Sequence, residues 1–251
     1  MSSKIKKILV AGDSIPYGYG FPLEKNEPSL WPNQLATFLE AELTNVSIPG
    51  YDNTGIFINA MSELLTTKYD LILIQLSSLD RIVLSPNMHT RINITNATVD
   101  SLKNKMSAMA IPQFSKNQLS YFHKIFFELN GKYEHWERLI RIIYSIQSLA
   151  KQGHNIRIIN GLIDWSEEFF TSKHSLYAKK IINHDSLPDE DIDIALEKIY
   201  KQIKDIDLSI WVNPFNSFEQ IAVDDAPLDN HPGSKSHKIY TNMILKNLNL
   251  I

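Results

Sequence analysis

The apolar positions of this chain fall into two periods that alternate along it. A short run at positions 4–10, closed by Gly12, has the length and aliphatic content of a buried strand. Trp31 to Leu43 then places Trp31, Leu35, Phe38, Leu39 and Leu43 at helical spacing, with Pro32 in a first turn where its missing N–H costs nothing. Asn45 to Ile48 reads as a brief second strand, stopped by Pro49-Gly50, and Thr54 to Leu65 as a second helix. Asp70 to Leu76 (DLILIQL) is almost wholly aliphatic, as expected of a strand covered on both faces. Further on, Glu134 to Gln152 carries apolar residues at Trp136, Leu139, Ile140, Ile143, Ile146 and Leu149, and Gly153 supplies a left-handed stop. Asn155 to Gly161 is the next strand, and Ser236 to Leu248 a closing helix.

Strand, helix, strand, helix, strand implies a parallel sheet with helices on both sides, an α/β three-layer αβα sandwich. Two stretches break the beat. Residues 85–132 are polar, with repeated Asn, and then carry an amphipathic piece around Leu119 to Leu129. Residues 165–218 hold helical segments at Leu176–Ile182 and near Ile192 to Ile206, followed by Ile210-Trp211-Val212. Both read as insertions above the sheet, where loops shape a ligand site. No linker rich in Gly, Pro or Ser divides the chain, so residues 1–251 are expected to form one domain. Aromatic groups such as Tyr121-Phe122, Phe126-Phe127, Trp136 and Trp165 fall on apolar segments and are expected in the core.

Composition narrows the function. Lys+Arg 25 against Asp+Glu 28 leaves a net charge of −3, a poor balance for gripping nucleic acid. Cysteine is absent, which excludes disulfides, thiolate metal sites and a cysteine nucleophile. The eight histidines show no metal spacing, and no phosphate loop, dinucleotide fingerprint or Gly-x-Ser-x-Gly elbow occurs. The first apolar run is too short for a signal-peptide core and no window reaches the length of a membrane span, so a cytoplasmic protein is expected.

Two constellations carry chemistry. Gly12-Asp13-Ser14 stands at the carboxyl end of the first strand, where open parallel sheets bind ligands. A serine there starts the following helix, whose free N–H groups favour a developing oxyanion. Near the other end, Asp229-Asn230-His231-Pro232-Gly233 precedes the last helix. A serine nucleophile needs a base, histidine titrates in the right range, and a carboxylate two residues earlier can hold one ring nitrogen while the other faces the serine. His237, further along that helix, is expected to be exposed or packed rather than catalytic.

These residues resemble the SGNH/GDSL hydrolase superfamily in order, spacing and strand placement. Gly12-Asp13-Ser14-Ile15-Pro16-Tyr17-Gly18 matches its first block, Asn45 through Gly50 its second, and Asp229 with His231-Pro232 its last. The resemblance implies a flavodoxin-like sheet, a Ser14–His231–Asp229 arrangement, and an oxyanion hole to which Gly50 and Ser14 contribute backbone N–H groups. Many members carry the acid three residues before the histidine, where Leu228 stands here; Asp229 takes the role, with Asp224 and Asp225 as fallbacks.

The third block departs. Where the family has Gly-x-Asn-Asp, this chain runs Ser77-Ser78-Leu79-Asp80-Arg81, and Leu79 can donate no hydrogen bond. A hydroxyl of Ser77 or Ser78, with Ser78 preferred, is then the replacement donor. Asp80 and Arg81 should border the cleft, Arg81 suited to an anionic part of a substrate. The resulting expectation is a cofactor-free serine esterase acting through an acyl-enzyme on a short acyl or O-acetyl group of a carbohydrate or small molecule. An acyltransferase using the same residues and a catalytically weak binding module are the alternatives.

Overall fold

The computed structural model describes residues 5–79, 81–87, 90–94, 131–163, 165–182 and 189–251. They cluster into two compact units. The first comprises residues up to Ser78, Ile142–Trp165 and Ile206–Ile251; the second comprises Leu79–Arg141 and Ser166–Asp205.

The first unit is built on a sheet of four parallel strands, β1 (Lys7–Ala11), β2 (Glu42–Asn45), β3 (Leu71–Leu76) and β6 (Ile156–Asn160), in the order β2-β1-β3-β6. This is the flavodoxin-like order. Ile158 makes a further parallel bridge to Trp211, with Val212 N–H donating to the Ile158 carbonyl, so the segment that the sequence places above the sheet extends its edge. Every residue of β3 is buried, which explains its unbroken aliphatic run.

The two faces of the sheet are covered by different helices. Ile8 and Val10 of β1, Leu71 and Leu73 of β3 and Ile159 of β6 share one core with Trp31 and Leu35 of α2 (Trp31–Leu39) and with Tyr240, Ile244 and Leu245 of α8 (Ser234–Asn247). Residues of opposite parity face α3 (Asn53–Leu64), which packs on β1 and β3 through Ile56 and Ala60. The aromatic weight of the first core lies in Trp31, Phe218 and Tyr240, the last two stacked with centroids 4.0 Å apart.

Two boundaries depart from the periodicity. The helix expected to reach Leu43 ends at Leu39 because Glu40 turns left-handed (φ 53°) and Ala41 N–H bonds back to Ala36. Glu42 and Leu43 are thereby released to β2, which begins three residues before the expected strand.

In the second unit, β4 (Ile82–Asn87) and β5 (Thr90–Ile94) form an antiparallel pair at a place where only polar insertion was expected. Four helices contribute to it: the first half of α4 (Gly131–Lys151), α5 (Glu167–Thr171), α6 (Leu176–Ile182) and α7 (Asp189–Lys204). Trp136 is buried there edge-on to Phe169 and donates its indole N–H to Gln202. The expected amphipathic piece around 119–129, with Tyr121-Phe122 and Phe126-Phe127, lies outside the described residues.

Candidate active site

The carboxyl end of β1 is tightly constrained. At Gly12 a Cβ would come within 2.5 Å of Pro16 and 3.1 Å of Gln75, so only glycine fits the approach of the chain to β3. Asp13 follows, fully buried. Its carboxylate accepts from Ile15 N–H (3.2 Å), Gln75 Nε2 (3.0 Å) and Ser77 Oγ (2.9 Å). It therefore ties the turn before Ser14 to both the body and the end of β3. Ser14 opens α1 (Ser14–Tyr17), a single turn closed by Gly18 at φ 79°, whose N–H bonds to the Ser14 and Ile15 carbonyls. The Ile15 N–H of that turn is taken by Asp13, and four residues add little macrodipole.

Gly50 lies in the segment after β2. Ile48 N–H donates to the Gly12 carbonyl, which carries this segment past the end of β1, and Gly50 then turns at φ 78°. Beyond β3, Ser77 is not available as an oxyanion donor, because its hydroxyl hydrogen points to Asp13. Its N–H donates to Asn53 Oδ1 (2.7 Å), while Asn53 Nδ2 donates to the Ser77 and Ser78 carbonyls (3.1 and 3.4 Å). Asn53 and Gln75 were both missed in the sequence. Asn53 resembled an ordinary helix-start residue, and Gln75 was the one polar letter in an aliphatic run. Ser78 is partly buried. Leu79 and Arg81 belong to the second unit, both described, and Asp80 lies outside the described residues.

The late loop brings Asp229 and His231 together. Asp229 uses both oxygens on His231: Oδ1 accepts the His231 backbone N–H at 2.9 Å, and Oδ2 lies 2.8 Å from Nδ1. A carboxylate oxygen accepts, so Nδ1 carries the hydrogen, and in the neutral ring Nε2 keeps its lone pair. The imidazole packs against Tyr19, with centroids 5.2 Å apart, and Tyr19 N–H bonds to the Ser14 carbonyl. One ring thus joins the loop of His231 to the turn that Ser14 begins. Among the described residues no hydrogen bond joins Ser14 Oγ to His231.

The fallback acids have other partners. Asp224 accepts from Lys235 N–H, Ser236 N–H and Ser236 Oγ (2.9, 2.8 and 2.5 Å), capping α8 from a distance. Burial opposes ionisation of Asp224, but these bonds outweigh it and hold its carboxyl below the usual range. Asp225 pairs with Pro232 in an isolated bridge. His237 is packed, as expected, with Nδ1 accepting from Trp31 N–H at 3.2 Å. Burial pushes its imidazole down to about 4, against the opposing effects of Asp224 and of the Pro232 carbonyl. Among the described residues no group of three or more His, Asp or Glu side chains is placed to hold a metal ion, and no helix is long and apolar enough to cross a membrane.

No protein-family model matches the chain. An arylesterase of Vibrio mimicus is 32% identical over 135 residues, a stretch covering 50% of this chain and 66% of that protein. Two solved structures are alike in outline. The psychrotrophic esterase EstA of Pseudoalteromonas sp. has 14% identity and a TM-score of 0.45, with 97% of each chain covered. A member of the lipolytic protein G-D-S-L family from Veillonella parvula has 15% identity and a TM-score of 0.42, covering 98% of this chain and 100% of that one. The chain spans just under two thirds of that arylesterase, and its motif blocks at the strand ends of a β2-β1-β3-β6 sheet resemble those of the SGNH/GDSL hydrolase superfamily.

Proposed function

We propose that the protein is a serine esterase that hydrolyses carboxylic esters through an acyl-enzyme on Ser14. The observation that carries this reading is the Asp229–His231 pair, bonded through Nδ1 and packed by its ring on the loop that starts at Ser14. Ser14 Oγ attacks the acyl carbon while His231 Nε2 takes its proton. The carbonyl electron pair moves onto oxygen, where the N–H groups of Ser14 and Gly50, with the hydroxyl of Ser78, receive it. Collapse of this intermediate breaks the bond to the alcohol oxygen, which takes the proton from His231. Water then repeats the sequence, giving up a proton to Nε2 and releasing the acid and the free serine. Asp229 holds the tautomer and orientation of the ring throughout and stabilises the imidazolium.

The 66% span on the arylesterase leaves the substrate to chemistry. Among the described residues no long apolar helix marks a lipid-accepting lid, which favours a short acyl group, such as an O-acetyl on a carbohydrate or small molecule. The test is reaction with a fluorophosphonate probe and with a short-chain nitrophenyl ester. Wild type is expected to be labelled and to turn over the ester, and Ser14→Ala to do neither. A wild-type protein inert to both, or a Ser14→Ala variant still labelled, overturns the proposal.

A further inference from the structure

The Asp229–His231 pair has a neighbour that the esterase chemistry above leaves unused. The first block continues past Ser14 as Gly18-Tyr19-Gly20, and each of the last two residues touches one member of the pair. Gly20 sits at φ 89°, and a Cβ built there would overlap Asp229 Oδ1 and lie 3.0 Å from Ala226 Cβ. The Asp229 carboxylate is therefore seated directly on the backbone at Gly20. Its carbonyl accepts Leu228 N–H at 3.0 Å, which pins the residue just before Asp229. Tyr19 lies against the imidazole of His231 at 5.2 Å.

We infer that Tyr19 and Gly20 form a positioning latch, in which Gly20 seats the Asp229 carboxylate and Tyr19 backs the His231 ring. The geometry gives the latch its effect. Oδ1 is confined between Gly20 and the His231 N–H, so Oδ2 has one direction left, toward Nδ1. With Nδ1 engaged and one flank of the ring against Tyr19, rotation of the imidazole is restricted and Nε2 keeps a fixed heading. Neither residue touches the reacting atoms; both act through Asp229 and His231. The inference rests on the proposed roles of that pair, but its first readout does not depend on activity.

That readout is the hydrogen-bonded Nδ1–H proton of His231, observed by ¹H–¹⁵N NMR as a downfield imidazole signal and assigned by its loss in Asp229→Ala. In Gly20→Ala the signal is expected to vanish, and the rate of fluorophosphonate labelling to fall roughly 100-fold, the effect of displacing a catalytic group by about 1 Å. Tyr19→Ala leaves the backbone unaltered and serves if Gly20→Ala does not fold. It is expected to broaden the same signal through faster exchange with water. Stability is measured alongside as a double-mutant cycle: the loss caused by Gly20→Ala should shrink in an Asp229→Ala background, where the added methyl finds room. A signal absent from wild type, or unchanged in both variants, overturns the latch. A wild type that shows the signal but never labels overturns the esterase reading and leaves the latch standing.

Discussion

Asp13 shows at the scale of one residue why the Gly-Asp-Ser sequence is rigid. Its carboxylate is buried and accepts from its own turn, from β3 and from the residue beyond it. Removing it strands the donors of Gln75 and Ser77 where water cannot replace them. Asp13→Ala is therefore expected to lower unfolding free energy by roughly 2–4 kcal/mol in urea titrations, with labelling at Ser14 slowed as the turn loosens. Asp13→Asn should recover only part of this, since its amide presents one oxygen and one donor to two donating side chains. An Asp13→Ala protein as stable as wild type would show that the network contributes nothing. Ser77 is the same lesson reversed. In sequence it stood beside the preferred Ser78 as a candidate for the missing oxyanion donor, and its bond to Asp13 removes it.

Between elements, the informative group is His237. Leu30, at the start of α2, provides no side-chain cap, and the orphan Trp31 N–H is taken by Nδ1 of a histidine 206 residues away. His237 therefore fastens α2 to α8, the two helices that cover one face of the sheet. Phe21 and Tyr240 pack edge-on against it. His237→Ala leaves both a cavity and an unpaired N–H, and a loss of roughly 2–4 kcal/mol is expected by urea denaturation. His237→Gln, which can still present an acceptor, should lose less. Equal losses in the two variants would mean that packing alone matters and the bond to α2 does not.

For the whole molecule these local environments set the response to acid. His237 protonates near 6.5 in the unfolded chain but only near 4 in the folded one. Between those values the unfolded state binds more protons, so stability is full above pH 6.5 and falls as pH drops toward 4, by about 3 kcal/mol from this group. Glu137 in the second unit acts lower. Burial opposes its ionisation, yet hydrogen bonds from Gln202, Lys198 and Tyr133 hold it down to about 2, against 4.5 when unfolded. Its contribution is full above 4.5 and lost as pH falls toward 2. Trp31, Trp165 and Trp211 belong to the first unit and Trp136 to the second. Urea midpoints followed through single-tryptophan variants should therefore drop between pH 6.5 and 4 for the first three. The Trp136 midpoint should begin its Glu137-dependent fall only below about 4.5, and that fall should disappear in Glu137→Gln.

The parallel α/β class and the residues at the strand ends were legible in the sequence, because a two-sided strand must be aliphatic and a tight turn at its end must use small polar residues. The pairing of Asp229 with His231 was legible for a similar reason: two residues of separation leave little freedom, and both atoms of the bond lie within one loop. Contacts between distant segments were decided only by folding. The seat of Asp229 on Gly20, the bond from Trp31 to His237 and the capture of Ser77 by Asp13 span 64 to 209 positions, and no local periodicity encodes them. The end of α2 at Glu40 was hidden as well, since helical spacing persists through Leu43 while the neighbouring β1 recruits Glu42 and Leu43 into the sheet. Local sequence determined the strands of the parallel sheet and which chemistry stands at their ends; the tertiary structure decided that Ser77 is committed to Asp13, because a hydrogen bond once made to a buried partner leaves that hydroxyl no hydrogen to offer a substrate.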